Sequence, residues 1–133
     1  MPIVTVHLLD GRHPPARLES LLAALSARYA HVLGSPVERI RAVVELHPPQ
    51  LWATGGQVGV EAPWFTALVL ADRPAAQRAE LLAALTAVLV DELGCEEALV
   101  RGQIVPVEPG DWGIGGVPAA VARGSEIAAR AAT

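Results

Sequence analysis

"LLAALSARYAHVLG" occupies residues 21–34 and "LLAALTAVLVDELG" occupies 81–94, so nearly the same helical segment is written twice, sixty positions apart. Self-similarity of this kind marks two copies of one supersecondary unit. The same shift carries Arg41 onto Arg101, Trp52 onto Trp112 and Gly55-Gly56 onto Gly115-Gly116. Toward the start of each copy the register moves by one. "VTVHLLDGR" (4–12) then matches "FTALVLADR" (65–73), placing Thr5 on Thr66, Arg12 on Arg73 and Pro2 on Pro63. The loops "HPPAR" and "PAAQR" absorb the slip.

Within each copy the pattern reads strand, helix, strand, glycine turn. Ile3 to Leu9 is apolar and β-branched with Thr5 and His7 on one face, which suits a half-buried strand. Pro14-Pro15 suit a helix start, where a missing N–H costs nothing. Leu18, Leu21, Leu22, Leu25, Tyr29 and Val32 then recur at steps of three and four and form one apolar stripe, and Gly34 ends the helix. "RIRAVVEL" (39–46) supplies a second strand, and "LWATGG" (51–56) a loop or hairpin. The second copy repeats this with Phe65–Leu70, a helix over 75–93 closing at Gly94, "LVRGQIVPV" (99–107) and "DWGIGG" (111–116).

A strand-helix-strand crossover of this length makes its two strands parallel and right-handed. The expected fold is therefore α/β, of the α+β kind. Two tandem β-α-β units, residues 1–60 and residues 61–133 with a C-terminal tail, form one domain with a four-stranded sheet and two helices on one face. Val4, Val6 and Leu8 lie on one strand face and Ile3 and Leu9 on the other, so two helices leave apolar surface uncovered. Sheet packing between subunits is the expected remedy. The Ala- and Arg-rich tail reads as partly helical.

Composition narrows the function. With 133 residues and 52 % hydrophobic content the chain can bury a core without disulfides or metals. Its one cysteine, Cys95, has no intramolecular partner, no Cys/His cluster shows zinc-like spacing, and a reducing interior is the expected setting. All ten basic residues are Arg, so no Schiff-base lysine is available. Net charge is −4 without a basic run, which argues against nucleic acid. The start lacks signal-peptide character, and Leu81 to Val90 is far short of the ~20 residues that span a bilayer. A cytoplasmic protein with no membrane partner is the expectation.

Pro2 behind Met1, "PIVTVHLLDGR", the β-α-β unit of about sixty residues, "VERIRAVVEL" and above all "WGIGG" together resemble the tautomerase superfamily, specifically a tandem-fused 4-oxalocrotonate tautomerase. The resemblance covers residues 2–118. It implies a trimeric, cofactor-independent isomerase that shifts a proton within a 2-oxo or 2-hydroxy carboxylic acid. It also implies that Pro2, Arg73 and Arg101 carry catalysis, that Trp112 walls the pocket, and that Arg12, Arg41 and Trp52 are supports. No metal is implied.

The chemistry accounts for that set. Removal of Met1 gives Pro2 a free secondary amine, which burial and neighbouring arginines push toward neutrality, where it serves as a general base. A guanidinium fork holds a carboxylate and stabilises an enolate oxygen. Pro63 follows Ala62 in mid-chain, so its nitrogen is an amide and cannot be a base. One active site per chain is the consequence.

The superfamily's haloacrylate dehalogenases pair two arginines three residues apart with a glutamate near the hairpin. Leu70 and Ile114 stand at those positions, leaving Arg73 alone and Leu70 as an apolar pocket residue. Hydratase, dehalogenase or decarboxylase activity on small unsaturated or 3-oxo acids is the alternative, with Asp111 or Glu108 to activate water. A non-catalytic trimer with a decayed site is the reading of another class, and retention of Met1 would produce it. Arg101 reads as a charge inside an apolar strand. His7, His13, His31 and His47 show no pairing in the sequence and receive no role.

Overall fold

Alternation puts Val4, Val6 and Leu8 on one side of the first strand, and all three are fully buried while Ile3, Thr5 and His7 are half-buried. That strand, β1 (Ile3–Leu9), begins a computed structural model that describes residues 2–133. The expected loss of Met1 concerns a residue outside them. Helix α1 (Pro15–Leu33) follows, entered through an extended Pro14 and ended at Gly34 with φ 63°, a left-handed cap that glycine adopts without a Cβ clash. Strand β2 (Arg41–His47) returns parallel to β1, and a small hairpin, β3 (Ala53–Thr54) and β4 (Gln57–Val58), ends the copy. The second copy repeats the sequence with β5 (Trp64–Leu70), α2 (Ala75–Leu93), β6 (Arg101–Val107) and the hairpin β7 (Gly113–Ile114) and β8 (Val117–Pro118).

The four long strands form one sheet in the order β2-β1-β5-β6. Both crossovers are parallel, whereas β1 and β5 meet antiparallel, with Thr5 opposite Thr66. These two threonines are equivalent in the repeat, so a pseudo-twofold axis passes between them. It sends the head of β1 toward the tail of β5, and each proline therefore sits beside the loop that follows the other copy's first strand.

The core lies between the sheet and the paired helices. Val4, Val6, Leu8, Phe65 and Ala67 meet Leu21, Leu25, Leu81, Leu85 and Leu89, all at most 1 % exposed. Burying the nine larger of these side chains at roughly 1.5–3 kcal/mol each is the main stabilising term. Tyr29 lies in the same core and donates its hydroxyl to the Leu68 carbonyl, and burial pushes its pKa up. Among the described residues no helix covers the opposite sheet face, and Trp64 and Val43 stand on it 40 % and 43 % exposed. The tail is helical, as α3 (Ala119–Ala122) and α4 (Gly124–Ala131).

Candidate active site at the Pro2 end of the sheet

Pro2 is buried at the head of β1, where its carbonyl accepts the Arg41 N–H at 3.0 Å. The antiparallel β1–β5 pairing brings Leu70 and Arg73 to the same end. Arg73 sits in the turn between β5 and α2, its N–H bonded to the Leu70 carbonyl at 3.1 Å. Its guanidinium donates to the Leu33 carbonyl at 2.7 Å and to Ser35 Oγ at 3.3 Å, so it sits against the C-terminus of α1, where the helix dipole favours a cation. Burial first, then the Arg130 charge, pull its pKa below the ordinary arginine value, and it stays protonated.

The cleft between these residues is narrow, about 30 Å³. Pro2, Leu70 and Ile114 line its apolar side, and Arg39, Arg73, Arg123 and Arg130 its charged side. Helix α4 closes it. Arg39 donates twice to Glu126, at 2.9 and 3.0 Å, and Arg130 Nε donates to Asp72 Oδ2 at 2.6 Å. The Arg39 hydrogen bonds hold the Glu126 carboxyl below its usual range. No residue of α4 is fully buried, and two ion pairs tie it down beside the half-buried Ile127.

The other candidates are distributed between the two ends. Arg41 adjoins Pro2 through its backbone, and its guanidinium donates to the Arg39 carbonyl at 3.2 Å. Trp112 opens the hairpin that carries Ile114, but it does not line the cleft, and its indole Nε1 is buried without a hydrogen-bond partner among the described residues. Arg101 lies at the opposite end of the sheet, where its N–H donates to the Pro63 carbonyl at 3.2 Å. There it shares a broad cleft of about 610 Å³ with Trp52, His47 and Trp64. Arg12 is at that end too, donating to the Gly59 carbonyl at 2.9 Å. Within one chain, then, Pro2, Leu70 and Arg73 come together, and Arg12, Trp52 and Arg101 do not join them.

Three sequence expectations need correction. Arg101 is not enclosed in an apolar strand: β6 starts at this residue, after a 3-10 turn at Glu97–Leu99, and its side chain is exposed. The carboxylate that lines the Pro2 cleft is Glu126, not Asp111 or Glu108, because α4 folds back over it. Three of the four histidines, His7, His13 and His47, have partners. His13 Nε2 meets Glu61 Oε1 at 2.7 Å, His7 Nδ1 meets His47 Nε2 at 2.8 Å, and Glu45 lies 3.3 Å from His7. Burial lowers the His7 pKa, opposed by Glu45 and assisted by His47. Arg39, Arg123, Glu126 and Arg130 were missed at the cleft, since isolated charges in a turn and a tail read as solvated. Burial pushes the Cys95 thiol up, which makes it a weak nucleophile.

The β-α-β repeat, with Pro2 buried beside the other copy's Arg73, can be set against known proteins. The Tautomerase enzyme family model matches residues 2–61. Native fused 4-OT, where 4-OT is 4-oxalocrotonate tautomerase, superposes with a TM-score of 0.85 at 28 % identity, over 91 % of this chain and 99 % of that one. A wild-type fused 4-OT asymmetric trimer gives 0.83 at 29 % identity, over 88 % and 95 % of the two chains. Macrophage migration inhibitory factor of Toxoplasma gondii shares the fold, with a TM-score of 0.71 at 17 % identity, over 85 % and 96 %. No curated protein matches. Residues 2–61 thus match the Tautomerase family, and the whole chain is similar in fold and sequence to fused 4-OT.

Proposed function

We propose that this chain is a cofactor-independent tautomerase acting on a 2-oxo or 2-hydroxy carboxylic acid, with the Pro2 amine, freed by removal of Met1, as its base. The observation that carries this reading is the burial of Pro2 in one cleft with Arg73. The amine lone pair takes the proton of the 2-hydroxyl group, electron density moves through the enolate to carbon, and the resulting ammonium returns the proton there. Arg73 has five N–H donors, of which its two protein contacts use two, so it can hold the substrate carboxylate or the enolate oxygen. The neighbouring guanidiniums disfavour protonated Pro2 and keep the base available near neutrality.

The cleft of about 30 Å³ leaves little room beside Pro2 while α4 is in place, and a wider one of about 530 Å³ shares Arg39, Arg73, Glu126 and Arg130 with it. The exposed Arg39–Glu126 pair contributes only about 0–1 kcal/mol, and substrate enters by displacing α4 from it and from the half-buried Arg130–Asp72 pair. Fused 4-OT relatives are trimers, and the uncovered sheet face supports a homotrimer here. In that assembly Arg101 acts on a neighbouring chain's Pro2 cleft, with Trp112 backing the hairpin of Ile114. With α4 seated, both Glu126 oxygens are engaged by Arg39, and its displacement carries this carboxylate away from Pro2, so the hydratase reading comes second.

Intact mass and turnover test this together. A purified protein lacking one methionine, with ketonisation of 2-hydroxymuconate or enol-phenylpyruvate that collapses in Pro2→Ala, is the expected result. Retained Met1, or turnover indifferent to Pro2, would overturn it.

A further inference from the structure

We propose that His7, Glu45 and His47 form a binding site for a first-row divalent metal ion, zinc the best suited, on the sheet face that carries no helix. His7 lies opposite Glu45 in the parallel β1–β2 pair, and His47 stands two residues beyond Glu45 on the same face. His7 Nδ1 lies 2.8 Å from His47 Nε2 and 3.3 Å from the Glu45 carboxylate, and the three ligand atoms all lie within 4.8 Å of one another. Two imidazole nitrogens at 2.8 Å must share a proton, one ring donating and the other offering its lone pair. A tetrahedral zinc with Zn–N near 2.0–2.1 Å holds its ligand nitrogens about 3.3 Å apart, so the ion takes the place of that proton after a ring shift of about half an ångström.

The rings are also held for the purpose. Trp64 stacks on His7 with centroids 3.7 Å apart and planes 7° from parallel, and Trp52 meets His47 edge-on at 5.5 Å. The His7 side chain is 12 % exposed, whereas that of Glu45 is 53 % exposed and free to swing onto an ion. His47 also lines the broad cleft of Trp52 and Arg101, through which an ion could reach the three ligands. Two histidines and one carboxylate are a zinc ligand set with one open site.

The repeat supplies an internal contrast. At the equivalent positions of the second copy stand Leu68, Val105 and Val107, paired in the same register, and Ile3 takes the place of Trp64. An aliphatic set therefore satisfies this part of the fold, and the polar trio is not needed for packing.

The test is zinc and cobalt titration of the chelator-treated full chain by calorimetry and, for cobalt, by visible absorption. One ion per chain with d–d bands of nitrogen and oxygen ligation is expected. Glu45→Gln, at an exposed position, should weaken binding at least about tenfold, and His7→Gln with His47→Gln at least about a hundredfold, since even outer-shell partners are worth ten to a hundredfold. The triple variant His7→Leu, Glu45→Val, His47→Val installs residues the second copy already tolerates, so it should fold and bind nothing. His13→Gln should bind normally. Absence of binding, or binding that the triple variant retains, would overturn the proposal. The Pro2→Ala variant should take up the ion unchanged, so metal binding and tautomerase activity fail or stand separately.

Discussion

The two ends of the sheet are built from the same repeated elements and have become different places. At the Pro2 end, the buried proline, Leu70 and Arg73 face a closed cleft crowded with arginines. At the Pro63 end, Trp52, Trp64, His47 and Arg101 line an open one. Two causes separate them. Pro63 is an amide within the chain, so its nitrogen has no basic lone pair. The residues after each hairpin also differ in fate: 59–63 run directly into β5, with Glu61 accepting the Leu9 N–H at 2.7 Å, whereas 119–133 form α3 and α4, and α4 seals the Pro2 cleft. On the proposed function, the tandem arrangement leaves base chemistry to the Pro2 end and frees the other from it.

The sharpest way to break this contrast is to change the two prolines separately. Pro2→Ala keeps an amine but loses the ring, and kcat/KM should fall about 10²–10⁴-fold, the usual worth of a positioned base. Pro63→Ala should leave turnover essentially unchanged and register only in thermal stability, since that ring is fully buried. Equal kinetic losses from both would mean that the proline end of the fold, not the amine, is what matters. Steady-state assays with paired melting curves decide it.

The arginines give the next contrast. Arg73→Ala removes a charge-assisted donor from the cleft, and kcat/KM should drop about 10²–10³-fold. Arg12→Ala, its repeat equivalent, breaks one exposed hydrogen bond to Gly59 and should cost at most about 1 kcal/mol of stability with turnover retained. Activity and denaturant midpoints, measured side by side, check both.

Much of this was legible in the residues, and the part that was not has a physical reason. Both helices, their glycine caps and the two parallel crossovers follow from local patterns, and the repeat made each copy confirm the other. That Arg73 would stand beside Pro2 also follows, once Thr5 and Thr66 are known to pair. The Glu126 contact was not readable, because the tail meets Arg39 across 87 residues. Neither was the His7–His47 contact, since forty residues separate the two and only the β1–β2 register joins them. Local periodicity carries no information about such pairs.

A smaller effect probes the core of the two copies. Val4 lies opposite Ala42 in the first copy, and Phe65 lies opposite Gly102 in the second, so the larger residue is matched by the smaller partner. A Cβ at Gly102 would approach Phe65 Cζ to 2.3 Å. Gly102→Ala should therefore destabilise by about 1–3 kcal/mol through overpacking. In a Phe65→Val background, which restores the first copy's pairing, the same change should cost under about 0.5 kcal/mol, a non-additivity that a double-mutant cycle measures directly.

The smallest effect concerns α4, the element that only the Pro2 end possesses. Its Glu126 has a folded pKa lowered chiefly by the hydrogen bonds from Arg39, and with the side chain 44 % exposed the pair contributes no more than about 1 kcal/mol. A depressed carboxyl stabilises the fold above its unfolded pKa, near 4.3, and loses that contribution as pH falls through the lower folded value. Wild type should therefore exceed Glu126→Gln in stability by up to about 1 kcal/mol at pH 7. The gap should narrow below about pH 4 and also shrink in molar salt, where screening reaches within about 3 Å. Denaturant titrations of both proteins across pH and salt measure the gap. A gap that ignores both would mean that α4 is held by packing, and substrate entry would then need a larger opening than the loss of two ion pairs.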